Sequence, residues 1–430
     1  MSEQLLPHAK PLKLAGVITR YRELLQNYAS LLGGSVGRLV FSLVYFLALA
    51  NTLSVAAFGV VAATSAMGVV LSRVAGLGFS SPLYRIATVK PQLIGAYLGG
   101  YIGFFLLSLP VVAVLAYTAF ATIFAGQLTA LAFTLIIISE VVLWRSAEII
   151  IIINNGLRRF GLGAALTILG TFIRMCAALA FWKLASDQSV ETWAWYYLAA
   201  NAVSLLLICM FGRIKSRIRF IWKLYPRRVR DALSVAGAEI IFYAQMELDK
   251  VLMLALAGGE VTGIYAVIMR LVDLTAMPLR AFNTLLVQSI MRTPDLMQSW
   301  KRRFAMEGGI ALVSTVALGA AVLLLWLQPT ILGKNIAFVA PVLMFALAIP
   351  ATRNIVEYHS ELLYARGQTI ARAGLLAVLG CLKAMLMGFF IHPDIDAIQV
   401  IIWMSVVFAG LYIVSAGFTY GLIKKPAFRV

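Results

Sequence analysis

The chain has 430 residues, of which 62% are hydrophobic and 13% are charged, and its formal net charge is +18. A soluble domain is about 45–50% apolar and about 25% charged, so this composition excludes an ordinary soluble protein. The apolar stretches are continuous and do not alternate with polar residues, which disfavours a transmembrane β-barrel. With a mean hydropathy of +0.92, the sequence predicts an all-α polytopic membrane protein.

Residues 1–29 are predicted to form a basic interfacial segment in the cytosol. Apolar residues recur on one helical face, among them Val17, Tyr21 and Leu24, and basic residues lie elsewhere. This pattern is typical of a helix lying in the plane of the membrane surface. The apolar core from Leu14 to Ile18 is too short for a signal peptide.

About 12 transmembrane helices are predicted to follow, because apolar stretches of about twenty residues recur along the chain. A first six-helix bundle, residues 30–212, contains the stretches Leu31–Leu49, Ala56–Leu77, Leu93–Thr118, Thr122–Leu143, Leu162–Leu184 and Trp193–Phe211. A second, residues 233–423, contains Leu233–Ala257, Val261–Phe282, Phe304–Leu327, Ile336–Val356, Ile370–Ile391 and Ala397–Ile423. The prediction is two parallel bundles around a central cavity, with a cytosolic tail at 424–430.

A basic segment separates the two bundles. The stretch Arg213–Arg230 contains eight lysine or arginine residues and no acid. Apolar residues at helical spacing between these charges, including Ile214 and Ile218, favour an amphipathic helix on an anionic leaflet. A nucleic-acid patch or a disordered tail is the alternative for a run of like charges. We call the predicted linker, residues 213–232, the strap, and expect anionic membrane lipids and no nucleic acid as its partner.

The basic residues also predict the orientation of the chain. With the N-terminus in the cytosol, the strap and most other loop lysines and arginines lie on the cytosolic side, as the positive-inside bias requires. The opposite side has only Lys183 and Lys334, beside several acids. Both termini are therefore expected in the cytosol.

A short internal repeat relates the two bundles. Phe58-Gly59-Val60-Val61-Ala62 opens the second predicted helix, and Thr262-Gly263-Ile264-Tyr265-Ala266 opens the eighth. Both units enter from the same side of the membrane, so the bundles are parallel repeats about an axis along the membrane normal. Transporters built from such repeats place their substrate between the halves.

Two further motifs, with the helix count and the strap, indicate a family. One is Leu248-Asp249-Lys250-Val251-Leu252-Met253-Leu254 followed by Gly258-Gly259-Glu260-Val261-Thr262-Gly263-Ile264-Tyr265, and the other is Phe58-Gly59 with a later Gly76-Leu77-Gly78-Phe79. The chain resembles the polysaccharide-transporter branch of the MOP flippase superfamily, which is related to the lipid II flippase and the MATE antiporters.

This resemblance implies a flippase and not an enzyme. Its expected substrate is an undecaprenyl-diphosphate-linked oligosaccharide, which would cross the bacterial inner membrane by alternating access for O-antigen, exopolysaccharide or capsule biosynthesis. The expected partners are the lipid-linked oligosaccharide and, in the same pathway, polymerase and chain-length machinery.

Charges inside the predicted spans are the candidate functional residues, since such charges are costly in a bilayer and usually face a cavity or a partner. Arg38, Arg174 and Lys383 have no acid nearby on their own helices, which leaves either a cavity role or an interhelical salt bridge. Lys250 and Arg270 lie on helices that line the cavity of the resembling flippases. These five residues are the predicted substrate-binding set, because guanidinium and ammonium groups suit a diphosphate.

Other intramembrane charges are spaced three or four residues apart and could neutralise each other on one helix face. The pairs are Glu247 with Lys250, Arg270 with Asp273, and Arg353 with Glu357. Asp249 is the predicted ion-coupling residue, because a carboxylate in a low dielectric can take up a proton near neutral pH. The alternative is that Lys250 or another cation keeps it ionised.

No nucleotide-binding loop or catalytic triad is evident in the sequence, so we predict no cofactor and no catalytic residue. Cys176, Cys209 and Cys381 lie inside apolar segments, which indicates neither a disulfide framework nor a metal site. Two other functions stay open. A cation-coupled, MATE-like exporter of small amphipathic molecules would favour acids in its cavity. A membrane glycan polymerase or ligase would carry a large outer loop, whereas the outer loops predicted here are short.

Overall fold

The structure, a computed structural model, describes residues 37–214, 216–292, 299–393 and 395–423. All regular secondary structure in these ranges is helical, which confirms the predicted all-α fold. The predicted interfacial segment 1–29 and the tail 424–430 lie outside the described residues.

Helices before the strap form the first half of the fold: α1 (Gly37–Thr52), α2 (Val55–Val74), α3 (Ser80–Val89), α4 (Ile94–Ala119), α5 (Ala130–Ile138), α6 (Arg145–Gly156), α7 (Phe160–Leu184) and α8 (Val190–Phe211). Hydroxyl caps start three of them. Ser54 accepts a hydrogen bond from the amide of Ala57 at the start of α2, and Thr129 and Ser189 cap α5 and α8 in the same way. A π-helical turn, Ser139–Trp144, joins α5 to α6.

The second half is formed by α9, which begins within the strap, and the helices that follow it: α9 (Pro226–Arg292), α10 (Trp300–Leu327), α11 (Lys334–Leu343), α12 (Ile349–Ala365), α13 (Thr369–Phe390) and α14 (Ala397–Ile423). Helix α9 is broken at Gly258, whose φ of 77° suits glycine. We call residues 226–257 its first arm and residues 259–292 its second arm. These arms correspond to the seventh and eighth predicted helices.

Within the described ranges, eight helices are long and apolar enough to cross a membrane, or up to nine if α11 and α12, bent by 66°, form one span. Each predicted span has a helical counterpart. Helix α9 contains the seventh and eighth predicted spans, α1 corresponds to the first, and α5 with α6 corresponds to the fourth. The predicted fourth span, Thr122–Leu143, ends too early. The chain stays helical through Glu140 and Arg145 to Gly156, because both charges find buried partners.

The first part of the strap departs from its predicted helix, whereas its last residues, 226–232, belong to α9. Residues 213–221, of which 215 is not described, are not helical. They run along α4, where the amide of Arg219 donates to the carbonyl of Gly95 at 3.0 Å, and the Tyr225 hydroxyl donates to another α4 carbonyl at 2.8 Å. Glycines permit this approach, since a Cβ on Gly99 would lie 2.3 Å from the Arg219 carbonyl oxygen. The hydrogen bonds to α4 replace those of the predicted amphipathic helix.

The two halves meet where α2 crosses the second arm of α9, at the end of the fold opposite the strap. A Cβ on Gly59 would lie 2.3 Å from the carbonyl oxygen of Gly259, and a Cβ on Gly263 would lie 2.0 Å from that of Val55. Gly59 and Gly263 are the glycines of the internal repeat. The repeat therefore marks the point where the two halves touch backbone to backbone.

Further contacts close both ends of the interface. At the strap end, which we call the basic end, a Cβ on Gly78 would lie 2.1 Å from the carbonyl oxygen of Ala232. At the opposite end, the Asn335 side chain donates to the carbonyls of Ala50 and Leu53 at 2.9 and 2.7 Å. The halves are thus in contact at both ends of the same interface.

Candidate functional site

Arg270, on the second arm of α9, reaches across to the first half. Its guanidinium donates to the hydroxyl of Ser42 on α1 and to the Ser42 carbonyl at 3.3 Å, and it lies 6.0 Å from the ring centre of Phe46. Its Nε is buried without a hydrogen-bond partner. Because a neutral serine holds it, its positive charge is available for an anion.

Arg38 and Arg174 converge on the same region. Arg38, on α1, is exposed and lies within electrostatic range of both Arg174 and Arg270, which repel it. Arg174, on α7, lies 3.9 Å from the ring centre of Trp144, and its Nε is also buried without a hydrogen-bond partner. The structure therefore brings together three of the five predicted substrate-binding residues, two from the first half and one from the second.

One buried acid belongs to this region. Glu140 lies in the π-helical turn, is 4% exposed and accepts a hydrogen bond from the Tyr197 hydroxyl. Arg174 is the charged group that interacts most strongly with it. We call Arg38, Arg174, Arg270 and Glu140 the cationic cluster, since it holds three cations and one acid. Sequence reasoning missed Glu140, although an acid inside the fourth predicted span was a usable signal.

Lys383 and Asp249 form an interhelical pair in the second half. Lys383 is 4% exposed and Asp249 is 2% exposed. The Lys383 ammonium lies 3.5 Å from Asp249 Oδ2 and donates to the carbonyl of Gln245. Asp249 also accepts hydrogen bonds from the Tyr265 hydroxyl at 2.8 Å and from the amide of Lys250 at 2.9 Å. These contacts favour the salt-bridge alternative for Lys383 and an ionised Asp249.

The remaining second-half charges also pair, although two of the three predicted local pairs are wrong. The observed pairs are Glu247 with Lys250, Asp273 with Arg353 at 2.9 Å, and Arg280 with Glu357 at 2.9 Å. The last two join α9 to α12, because facing helices bring these side chains closer than their own helix does. Arg270 is thereby left without the carboxylate that the sequence assigned to it.

An ion network lies buried at the basic end, where the sequence predicted Arg73 and Arg145 among the basic residues of the cytosolic side. Arg145 is 1% exposed, and it binds Glu148 at 2.7 Å and Glu239, on the first arm of α9, at 3.4 Å. Arg73 binds Glu148 at 2.9 Å and stacks on Tyr243, 4.0 Å from its ring centre. We call Arg73, Arg145, Glu148 and Glu239 the basic-end network. Its Arg145–Glu239 pair joins the two halves electrostatically. Gly78 and Ala232 join them by backbone contact at the same end.

Comparison with known proteins finds solved structures that share this fold. No family model and no curated protein matches the sequence. An inward-facing multidrug resistance MATE family transporter of the MOP superfamily matches with a TM-score of 0.62 and 16% identity, covering 91% of this chain and 98% of that one. The lipid II flippase MurJ, in an inward closed conformation, matches with a TM-score of 0.63 and 13% identity, covering 92% and 88%.

A third structure is a MOP superfamily transporter from Pyrococcus furiosus, reported with a binding pocket of reverse polarity. It has a TM-score of 0.57 and 14% identity, and covers 94% of this chain and 96% of that one. The chain has the fold of the MOP-superfamily transporters. A multi-pass membrane protein follows from this fold and from the candidate spans.

In this MOP fold, the space beside the second-half ion pairs is small. A cavity of about 50 Å³ is bordered by Gln245, Arg353, Glu357 and Lys383. It can hold water, which needs only two to four polar partners, but not a sugar. The second-half pairs therefore border a small pocket, whereas Arg270 of the cationic cluster reaches across to Ser42 of the first half.

Proposed function

We propose that this MOP-fold protein is a flippase that moves an undecaprenyl-diphosphate-linked oligosaccharide from the inner to the outer leaflet of the bacterial inner membrane. The product would serve O-antigen, exopolysaccharide or capsule synthesis. The cationic cluster supports this proposal, because it holds three guanidinium groups and only one acid. A diphosphate loses its hydration in the membrane, and arginine donors replace that hydration with charge-assisted hydrogen bonds.

Alternating access then follows from the contacts between the halves. In this proposal the basic end faces the cytosol, with both chain termini, as the positive-inside bias requires. Opening the basic-end network admits the head group to Arg38, Arg174 and Arg270. Separation of Gly59 from Gly263 then releases it at the opposite end. Because Arg270 belongs to the second half and the other two to the first, one bound anion contacts both halves.

A cation-coupled exporter of small amphipathic molecules is the second candidate function. The similarity to a MATE transporter and the buried acids favour it. However, Asp249 and Asp273 are already paired with Lys383 and Arg353, so little negative charge is free for a cationic solute. A glycan polymerase or ligase has less support, since the connections 185–189 and 328–333 at the opposite end are short.

Substitution of Arg270 tests the flippase directly. Purified protein in liposomes that contain the lipid-linked oligosaccharide should lose about tenfold to 100-fold in flipping rate as Arg270→Ala, since a hydrogen bond to a charged group contributes about 1.5–3 kcal/mol. Arg270→Lys should retain part of the rate, because an ammonium keeps the charge but loses the planar fork. Arg85→Ala, which removes an exposed arginine outside the cluster, is the matched control. Wild-type flipping by Arg270→Ala would refute the site.

A deletion strain separates the candidate functions. Loss of surface polysaccharide, with the lipid-linked unit retained in the inner leaflet, is the result expected of a flippase. Drug sensitivity with normal polysaccharide would instead indicate an exporter. Accumulation of unpolymerised units on the outer leaflet would indicate a polymerase or ligase.

A further inference from the structure

Glu140 is a buried carboxylic acid with little to hold it ionised. Its one hydrogen-bond donor among the described residues is the Tyr197 hydroxyl. The charged and titratable groups that face it from the surrounding helices are Tyr45 on α1, Arg73 on α2, Arg174 on α7, Tyr197 on α8 and Glu247 on the first arm of α9. Arg73 is already bound to Glu148, and Glu247 to Lys250. Arg174 is therefore the cation left to balance Glu140.

The contact between Arg174 and Glu140 is electrostatic only. The Arg174 guanidinium stacks on Trp144, and no hydrogen bond joins it to Glu140 in the described structure. Asp249 differs, since it has a lysine and two hydrogen-bond donors within reach. A carboxylate with such partners is held in its charged form, whereas a desolvated one with few partners takes up a proton more readily. Glu140 is thus better suited than Asp249 to exchange a proton.

The local backbone couples Glu140 to the arginine. Glu140 and Trp144 lie in the same π-helical turn, Ser139–Trp144, and π-turns are frequent at functional sites. Trp144 is the surface on which Arg174 rests. Gly68 on α2 provides the space for the acid, because a Cβ there would lie 2.8 Å from the Glu140 Cβ. This π-helical turn therefore positions both Glu140 and Trp144, the ring on which Arg174 stacks.

We propose that Glu140 is a proton-binding site, and that proton uptake there strengthens the binding of a diphosphate head group to Arg38, Arg174 and Arg270. This inference rests on the proposed flippase function. Ionised Glu140 offsets part of the charge of Arg174. Neutral Glu140 leaves the charge of Arg174 without this offset, so the cluster holds an anion more tightly.

The sign of the effect follows from linkage. Anion affinity is highest at low pH, where Glu140 is protonated, and decreases as pH rises through the range in which Glu140 loses its proton. By reciprocity, a bound anion favours the protonated acid by the same factor, which for coupled sites is about fivefold to 150-fold. A cationic solute would show the reverse dependence, since it would prefer the ionised acid. The proton and the head group therefore bind and leave together.

Calorimetry with a defined diphosphate lipid tests this inference. Farnesyl diphosphate is titrated into the purified full-length protein in nanodiscs, in two buffers of different ionisation enthalpy, so that the protons taken up on binding are counted. The comparison is between wild type and Glu140→Gln, a nearly isosteric neutral variant. Glu260→Gln, at an exposed glutamate of the opposite end, is the matched control. The protonation of the ligand itself is common to every protein and cancels in these differences.

The expected result is that wild type and Glu260→Gln take up more protons per ligand than Glu140→Gln does. Glu140→Gln should bind tightly at high pH, and its affinity should exceed that of wild type there by about fivefold to 150-fold. Infrared difference spectra between low and high pH should contain a carboxylic acid band that Glu140→Gln lacks. The infrared measurement needs no ligand, so it tests the proton site separately from the flippase.

Three outcomes would overturn the inference. Equal proton counts for wild type and Glu140→Gln, with binding retained, would exclude Glu140 while leaving the flippase intact. Loss of the extra protons in Asp249→Asn, with none lost in Glu140→Gln, would transfer the role to Asp249. Absence of farnesyl diphosphate binding by wild type would reject both the coupling and the anion site on which the proposed function rests.

Discussion

Replacing Gly59 with alanine tests whether the crossing of α2 and α9 holds the opposite end of the fold closed. The new Cβ would lie 2.3 Å from the Gly259 carbonyl oxygen and 2.4 Å from the Gly263 nitrogen. Ordinary contact begins at 3.4 Å, so the helices must separate by about 1 Å here. Both obstacles are backbone atoms, which cannot rotate away as a side chain would.

The energy of this clash acts on the closed conformation alone. Overpacking a well-packed contact costs about 1–3 kcal/mol. The gain in helix propensity from glycine to alanine cancels in this comparison, because opening moves α2 without unfolding it. A cost of about 1–3 kcal/mol changes the ratio of closed to open molecules about fivefold to 160-fold. The population with an open opposite end should rise by that factor.

Distance measurement between spin labels would detect this change. Labels at Asp187→Cys and Lys334→Cys, both exposed at the opposite end and one in each half, would be placed in a background in which Cys176, Cys209 and Cys381 are serine. Gly59→Ala should add a longer distance to the distribution. The control is Gly388→Ala in α13, which has the same helix gain and nothing within 4 Å of its Cβ. Identical distributions for the two variants would refute the role of the crossing.

Two other perturbations have definite outcomes. Lys383→Met leaves Asp249 buried without its cation, and we expect a loss of about 3–5 kcal/mol in the free energy of unfolding, measured as a lower thermal midpoint. Adding Asp249→Asn should recover most of that loss, and no recovery would exclude the ion pair. Gly99→Ala forces a Cβ to 2.3 Å from the Arg219 carbonyl oxygen and should free the strap, so trypsin should cut the strap about tenfold faster than in wild type. Gly161→Ala, with nothing within 4 Å, is its control, and equal cleavage rates in the two variants would contradict the packing of the strap on α4.

Helices with an apolar run between clear boundaries could be predicted from sequence. The predicted Ala397–Ile423 and the observed α14 coincide, because polar residues bound a long apolar run. The strap could not be predicted in the same way. Its periodicity fits a helix, but the carbonyls of Gly95 and Ala96 on α4 accept hydrogen bonds from residues more than a hundred positions away along the chain. Local spacing contains no information about such a distant partner.

The residues of the candidate site also differ in how well the sequence predicted them. Arg38 and Arg174 were marked by the absence of an acid on their own helices, and that local absence agrees with their place in the cationic cluster. Lys383 has the same local signature, yet it pairs with Asp249, which is distant in sequence. Asp273, the partner predicted for Arg270, instead binds Arg353, because the packing of α9 against α12 brings these two side chains closer together than spacing along one helix does. A hydropathy pattern shows that a charge is costly in the membrane, but not which facing helix neutralises it.

The extended strap has a mechanical consequence. Its segment before Tyr225 is bonded to α4, so it moves with the first half and is not a slack tether. The covalent path between the halves then passes from this bonded segment into α9 at Pro226. If the halves tilt as in the proposed alternating access, this junction is where the connection would bend.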